Sequence, residues 1–219
     1  MTEKLRCRAV IFDFDGTLAD SMPFLAKIGV EVMMRYYGIS KDEAAERYKS
    51  TTGLPYEHQI KLNFPDHEAN NEAIKVFEKM KIDRIFEQKL FPESNDILIA
   101  LKHTGFMLFV SSSTFQSTIT EYFKRLGMLE FFTEILGYRP GFEKGVDHFN
   151  HVRDRYDISL GEVVFIGDSL KDYERSKNHT QFVALERMFT RNDFAQAGHN
   201  GHVISNLLEL EQILELDSD

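Results

Sequence analysis

Side chains suited to phosphate and divalent cations fall at the ends of three short apolar runs. Asp13 and Asp15 close Ala9–Phe14 (AVIFDF), and Gly16 and Thr17 follow. Ser111 and Ser112 follow Met107–Val110 (MLFV), while Gly167, Asp168, Ser169 and Asp172 follow Val163–Ile166 (VVFI). Four carboxylates gathered in one place repel one another. A hard divalent cation resolves that conflict, and Mg2+ takes carboxylate, carbonyl and water oxygens. A carboxylate can also be a nucleophile, and aspartyl-phosphate formation is an established use. A second carboxyl nearby can protonate a leaving group and later activate water. Asp13 and Asp15 share a face if the strand runs on, and a turn at Asp15-Gly16 can aim both at one reacting centre. Ser111 is expected where a strand hands over to a helix, so its hydroxyl and the first helical N–H groups suit a phosphate oxygen. Lys144, in the loop Pro140-Gly141-Phe142-Glu143-Lys144-Gly145, can neutralise a phosphoryl group as a point charge.

These groups converge only if the runs are neighbouring strands. Each run is rich in β-formers, ends at turn residues and is apolar on both faces, as parallel strands covered by helices must be. Shorter strand candidates are Glu134–Leu136, Phe182–Leu185 and His202–Ile204. Helical spacing separates them at Asp96–His103, Gln116–Leu126, Val146–Tyr156 and Leu207–Leu216. Alternating strands and helices predict parallel strands with crossover helices, and such sheets bind ligands outside their carboxyl ends. From Asp20 to Lys89 the pattern changes to helices alone (Phe24–Tyr37, Lys41–Ser50, Glu68–Gln88). The expectation is a doubly wound α/β core of residues 1–18 and 91–219, with an all-helical cap domain of residues 19–90 inserted.

Composition narrows the function classes. In 219 residues, 26 basic and 35 acidic side chains give a net charge of −9, which argues against a nucleic-acid partner met through a broad basic face. The single cysteine, Cys7, cannot form an internal disulfide and is expected to be a buried small hydrophobe. No apolar run reaches the roughly 18 residues of a membrane span, and no membrane partner is expected. Charged Glu3, Lys4, Arg6 and Arg8 precede the first run and leave no room for a signal peptide, so a cytoplasmic monomer or homodimer is expected. His148 and His151 are expected on a solvated helix face rather than as metal ligands. The 19 Phe and 8 Tyr, without Trp, favour an aromatic core over a base-stacking surface.

Taken in order, these motifs resemble the haloacid dehalogenase-like superfamily. Asp13-Phe14-Asp15-Gly16-Thr17-Leu18 is similar to its first motif, Ser111 after MLFV to its second, Lys144 to its third and Gly167-Asp168-Ser169-Leu170-Lys171-Asp172 to its fourth. The likeness is greatest to the subgroup with a helical cap, which includes phosphoglycolate phosphatases, β-phosphoglucomutases and phosphonoacetaldehyde hydrolases. The resemblance implies a Rossmann-like core and a Mg2+-dependent phosphatase acting on a small phosphorylated metabolite. It implies that Asp13 attacks phosphorus and binds Mg2+. Asp15 would serve as general acid/base and lend its backbone carbonyl to the metal. Asp168 and Asp172 would be further metal ligands. Ser111, the Ser112 backbone and Lys144 would hold the phosphoryl group, and Thr17 would orient Asp15. A phosphomutase uses the same residues, and a phosphonate hydrolase would need a cap lysine such as Lys27, Lys41, Lys49 or Lys61. The cap should choose the substrate, through Thr51–Pro55 and nearby Arg47, Lys49, Tyr56, His58 and Lys61. The chain departs from the usual pattern at Pro92-Glu93, at Gly145 where proline is common, and at Asn178, expected to end a helix where the family uses glycine.

Overall fold

The structure, a computed structural model, describes residues 4–217. Glu3, one of the charges at the start of the chain, lies outside them. The chain divides into two compact units, Met1–Ala19 with Leu90–Asp219, and Asp20–Lys89.

The first unit begins with β1 (Leu5–Cys7) and β2 (Ala9–Asp13). The second unit then supplies α1 (Met22–Tyr37), α2 (Lys41–Ser50), α3 (Tyr56–Asn63) and α4 (Asn70–Arg84). The first unit resumes with α5 (Pro92–Thr104), β3 (Met107–Phe115), α6 (Gln116–Arg125), β4 (Glu134–Tyr138), α7 (Val146–Tyr156) and β5 (Val163–Gly167). It ends with α8 (Leu170–Ser176), β6 (Gln181–Leu185), α9 (Arg191–Gln196), β7 (Val203–Ile204), α10 (Leu210–Ile213) and β8 (Leu214–Leu216).

Among the described residues, six strands form one parallel sheet in the order β4-β3-β2-β5-β6-β7. The chain builds outward from β2 on one side, then returns to β5 and builds outward on the other. The order therefore reverses at β2 and β5, where a doubly wound sheet opens its ligand crevice. Every residue of β2 and β5 is buried, which explains their unbroken apolar sequence. Ile11, Phe109, Phe149, Val152, Phe165 and Phe194 pack into one of the cores of this unit. Helix α5 opens with Pro92 and stops at Gly105, whose φ of 106° lets its N–H reach the Leu101 and Lys102 carbonyls.

The sequence-based ending of the chain is corrected. Leu207–Leu216 is not one helix: a 3-10 turn (Leu207–Glu209) and α10 give way to β8, which pairs in parallel with β1. Leu214-Glu215-Leu216 alternates inward and outward as a strand does, and Leu5↔Leu214 and Cys7↔Leu216 share the register. Cys7 is fully buried, as expected. Asn178 does not end α8, which stops at Ser176 and passes through Lys177 in right-handed geometry.

The second unit is all helical. Leu25, Ile28, Val32, Met33, Ala44, Tyr48, Ile60 and Phe77 form its core. Gly29 brings α1 against α2, since a Cβ there would lie 2.4 Å from the Tyr48 ring. Two of the suggested substrate contacts have partners within this unit. Tyr56 is buried and stacks on Phe77 with centroids 3.6 Å apart. Arg47 pairs with Glu43, donates to the Asn63 carbonyl and lies over the Phe64 ring.

Candidate active site

Asp13 is the last residue of β2 and is 4% exposed. The chain then turns sharply. The Leu18 and Ala19 N–H groups both reach the Phe14 carbonyl, the Gly16 N–H reaches the Ala19 carbonyl, and Gly16 holds φ at 86°. Phe14, between the two acids, is fully buried with edge contacts to Tyr122 and Phe123. This pins the backbone that carries Asp13 and Asp15. Asp15 is half-buried, and its Oδ2 accepts a hydrogen bond from Thr114 Oγ1 at 3.2 Å. Thr17 Oγ1 is buried and makes no hydrogen bond, so no side-chain bond ties Thr17 to Asp15.

Ser111 lies directly beside Asp13, because the two are register partners in β3 and β2. Ser111 does not sit at the strand-to-helix junction expected for it, although the helix begins at Gln116 as its spacing predicts. Strand β3 runs on to Phe115 and α6 starts only at Gln116. Between Ser111↔Leu136 and Phe115↔Tyr138, β3 advances four residues while β4 advances two. That irregularity lifts Ser112–Thr114 out of the ladder, where Ser112 Oγ accepts the Thr114 N–H at 3.0 Å.

On the other side of β2, β5 ends at Gly167 and delivers Asp168 and Asp172. Both are buried. Ser169 caps α8: its Oγ accepts the Asp172 N–H at 3.1 Å and donates to Asp172 Oδ2 at 2.6 Å. Gly167 makes this approach possible, since a Cβ there would lie 2.6 Å from Asp172 Cβ. Lys144 arrives from the loop before α7 and is also buried. Its Nζ lies 2.7 Å from Asp13 Oδ1 and 2.6 Å from Asp172 Oδ1. Gly145 follows with φ at 109°, and its missing side chain leaves room for Arg175, 3.0 Å from an ideal Cβ. Proline could not occupy that backbone conformation.

The carboxylates of Asp13, Asp168 and Asp172 each bring an oxygen within 4.8 Å of the others. The Asp15 carboxylate is not part of this group. Burial pushes Asp13 up to about 7; Lys144 opposes the shift, while Asp172 and Asp15 add to it. Burial, with Asp13 and Asp172 adding, holds Asp168 well above the usual carboxylate range. Lys144 is raised, because Asp13 and Asp172 outweigh its burial. If ionised, the three carboxylates would outnumber the two cations beside them, Lys144 and the Arg175 guanidinium 3.8 Å from Asp172 Oδ1, and Asp168 Oδ2 is buried without a hydrogen bond. This donor set fits a hard divalent cation.

His148 corrects the solvated-face expectation. It is fully buried, and its Nδ1 lies 2.8 Å from Ser111 Oγ. Burial pushes its pKa down to about 3; the Gly137 backbone opposes the shift, and Lys144, His151 and Arg139 add smaller lowering effects. His151 is half-buried and meets Glu134 at 2.9 Å. The sequence signal for His148 was its place on the face of α7 shared with Phe149 and Val152.

Comparison with known proteins agrees with this arrangement. The profile described as haloacid dehalogenase-like hydrolase matches residues 10–185. A phosphoglycolate phosphatase of Neisseria meningitidis is 31% identical over 183 residues, covering 78% of this chain and 76% of that one. A 5'-nucleotidase of Pseudomonas aeruginosa is 25% identical, over 96% of this chain and 97% of its own. A haloacid dehalogenase-like family hydrolase of Streptococcus pneumoniae has the same fold, with a TM-score of 0.80 at 22% identity over 94% of this chain and 97% of that one. With the motifs, the sheet order and the inserted helices in agreement, the chain is an enzyme belonging to the haloacid dehalogenase-like hydrolases.

Proposed function

We propose that the protein is a Mg2+-dependent phosphatase of small phosphate monoesters that works through a phosphoryl group carried on Asp13. The observation that carries this reading is the buried set of Asp13, Lys144, Asp168 and Asp172 at the switch point, with Ser111 in register beside Asp13. The names of the Neisseria and Pseudomonas relatives support a phosphomonoester substrate.

An Asp13 oxygen attacks phosphorus, and the ester P–O bond breaks. Asp15 gives its proton to the departing oxygen. Asp15 then takes a proton from water, the water oxygen attacks phosphorus, and the Asp13–phosphoryl bond breaks to release inorganic phosphate. Lys144 and the Ser111 hydroxyl offset the charge on the phosphoryl oxygens, with the Ser112 backbone beside them. Asp13, Asp168, Asp172 and the Asp15 carbonyl would hold Mg2+, which supplies Lewis-acid charge neutralisation at phosphorus.

The lysines Lys27, Lys41, Lys49 and Lys61 are all exposed, whereas Lys81 of the same unit is buried. The experiment is Mg2+-supported hydrolysis of p-nitrophenyl phosphate by the native chain and by Asp13→Asn. The variant should lose several orders of magnitude in kcat, as removal of a nucleophile does. Equal rates would end this mechanism.

A further inference from the structure

Ser111 carries one hydroxyl proton, and His148 is its buried neighbour. The Ser111 Oγ–His148 Nδ1 contact of 2.8 Å lies in the interior, with both residues fully buried. Phe142 packs on the imidazole at 4.5 Å between centroids, while Phe149 and Val152 of the same helix anchor α7 in the core. The ring is therefore held in place. Its deep burial keeps it neutral, so it has one proton for two nitrogens.

Two arrangements are open to a neutral ring. In one, Ser111 donates to Nδ1 and presents only lone pairs to its remaining neighbours, which suits no anion. In the other, Nδ1–H donates to Oγ and the serine proton is left for an acceptor beside Asp13. The opposite nitrogen discriminates between them. His148 Nε2 is buried and makes no well-formed hydrogen bond, although the Gly137 backbone acts on the ring and favours its protonation. A buried N–H with no acceptor is rarer in proteins than an under-satisfied acceptor.

We propose that His148 is a positioning residue for Ser111: Nδ1–H donates to Ser111 Oγ and aims the serine hydroxyl at an anionic oxygen of the substrate held beside Asp13. The role of this bond in turnover rests on the phosphatase reading above. The bond itself does not, so the two can fail separately.

The test combines a spectroscopic and a kinetic readout on the full chain. Two-bond 1H–15N spectra of the 15N-labelled protein at pH 7.5 distinguish the tautomers, and His148→Asn assigns the signal by its loss. The Nδ1–H tautomer is expected; the Nε2–H tautomer or an imidazolium overturns the proposal. With p-nitrophenyl phosphate, His148→Leu should lower kcat/KM about 10–100-fold, somewhat below the loss of an oxyanion donor outright. His148→Asn, whose amide can replace Nδ1–H, should recover most of it. The pair Ser111→Ala/His148→Leu should be no slower than Ser111→Ala alone. Additive losses, or equal damage by Leu and Asn, overturn the proposal. A native chain that hydrolyses no ester yet shows the Nδ1–H tautomer defeats the phosphatase reading and leaves the bond standing.

Discussion

Acid should destabilise this protein through His148, by an amount its burial sets. In the unfolded chain the imidazole titrates near 6.5, whereas in the fold burial holds it near 3. Between those values the unfolded state binds a proton that the folded state refuses, so stability rises with pH across that window and falls as pH drops through it. Well below pH 3 the whole of that preference would be lost, on the order of 5 kcal/mol. At pH 5 the loss is about 2 kcal/mol, and at pH 7.5 almost nothing. Asp13 and Asp168 act in the opposite sense. Their pKa values are raised, so each relieves a penalty as pH falls from neutral. The native chain alone reports only the sum. The difference between native and His148→Asn isolates the histidine, because the variant keeps the acids and loses the titrating ring. Urea unfolding at pH 7.5 and pH 5.0, with EDTA present, should show the native chain losing about 2 kcal/mol more than the variant on acidification. A parallel pH response in the two proteins would refute the claim that His148 is buried and neutral.

Other outcomes follow from individual contacts. Gly145→Pro demands φ near −65° where the chain needs 109°, so it should cost about 3 kcal/mol in urea unfolding and displace Lys144, lowering kcat/KM. Gly29→Ala places a methyl 2.4 Å from the buried Tyr48 ring and should cost about 1–3 kcal/mol by the same measurement. Lys144→Met leaves Asp13 and Asp172 buried without their ammonium, a loss of about 3–5 kcal/mol at neutral pH by denaturant titration. Mg2+ at 100 times its dissociation constant should stabilise the native chain by about 2.7 kcal/mol in thermal melts against EDTA, and much less in Asp168→Asn.

The sheet was legible where burial on both faces writes an uninterrupted apolar run. AVIFD, MLFV and VVFI could be little else, and their order in the chain sufficed for parallel pairing. Strands β1 and β8 were not legible, because three residues (LRC and LEL) carry too short a pattern to separate a strand from the end of a helix. Helix α8 was expected from the resemblance but not from apolar spacing, because Asp172 and Ser176 on its buried side serve the site and the helix's own carbonyls rather than an apolar core. Strand β3 outran its prediction for a related reason. The polar run Ser111–Thr114 reads as a turn, and Ser112–Thr114 do leave the ladder with β4, yet the chain stays extended to Phe115.

The site's legibility has a different origin, which explains why His148 escaped. Three glycines lie in or directly beside the motifs, two at motif positions and Gly145 after the motif lysine, and each makes room rather than contact. Gly16 turns the chain after Asp15 at φ 86°, Gly145 turns it after Lys144 at φ 109°, and Gly167 lets Asp172 close on the end of β5. Those requirements are local, since only glycine meets them at little cost, so they are written into short sequence stretches. Ser111 and His148 are instead 37 residues apart, and neither has a local requirement. A serine after an apolar run and a histidine among Asp147, Asn150 and His151 are ordinary surface sequence. What buries the histidine is the packing of Phe149 and Val152 beneath α7, which turns the His148 face towards β3. The carboxylates and the lysine are thus recognisable from the backbone they demand, whereas the hydrogen bond that orients the serine exists only once the layers have packed.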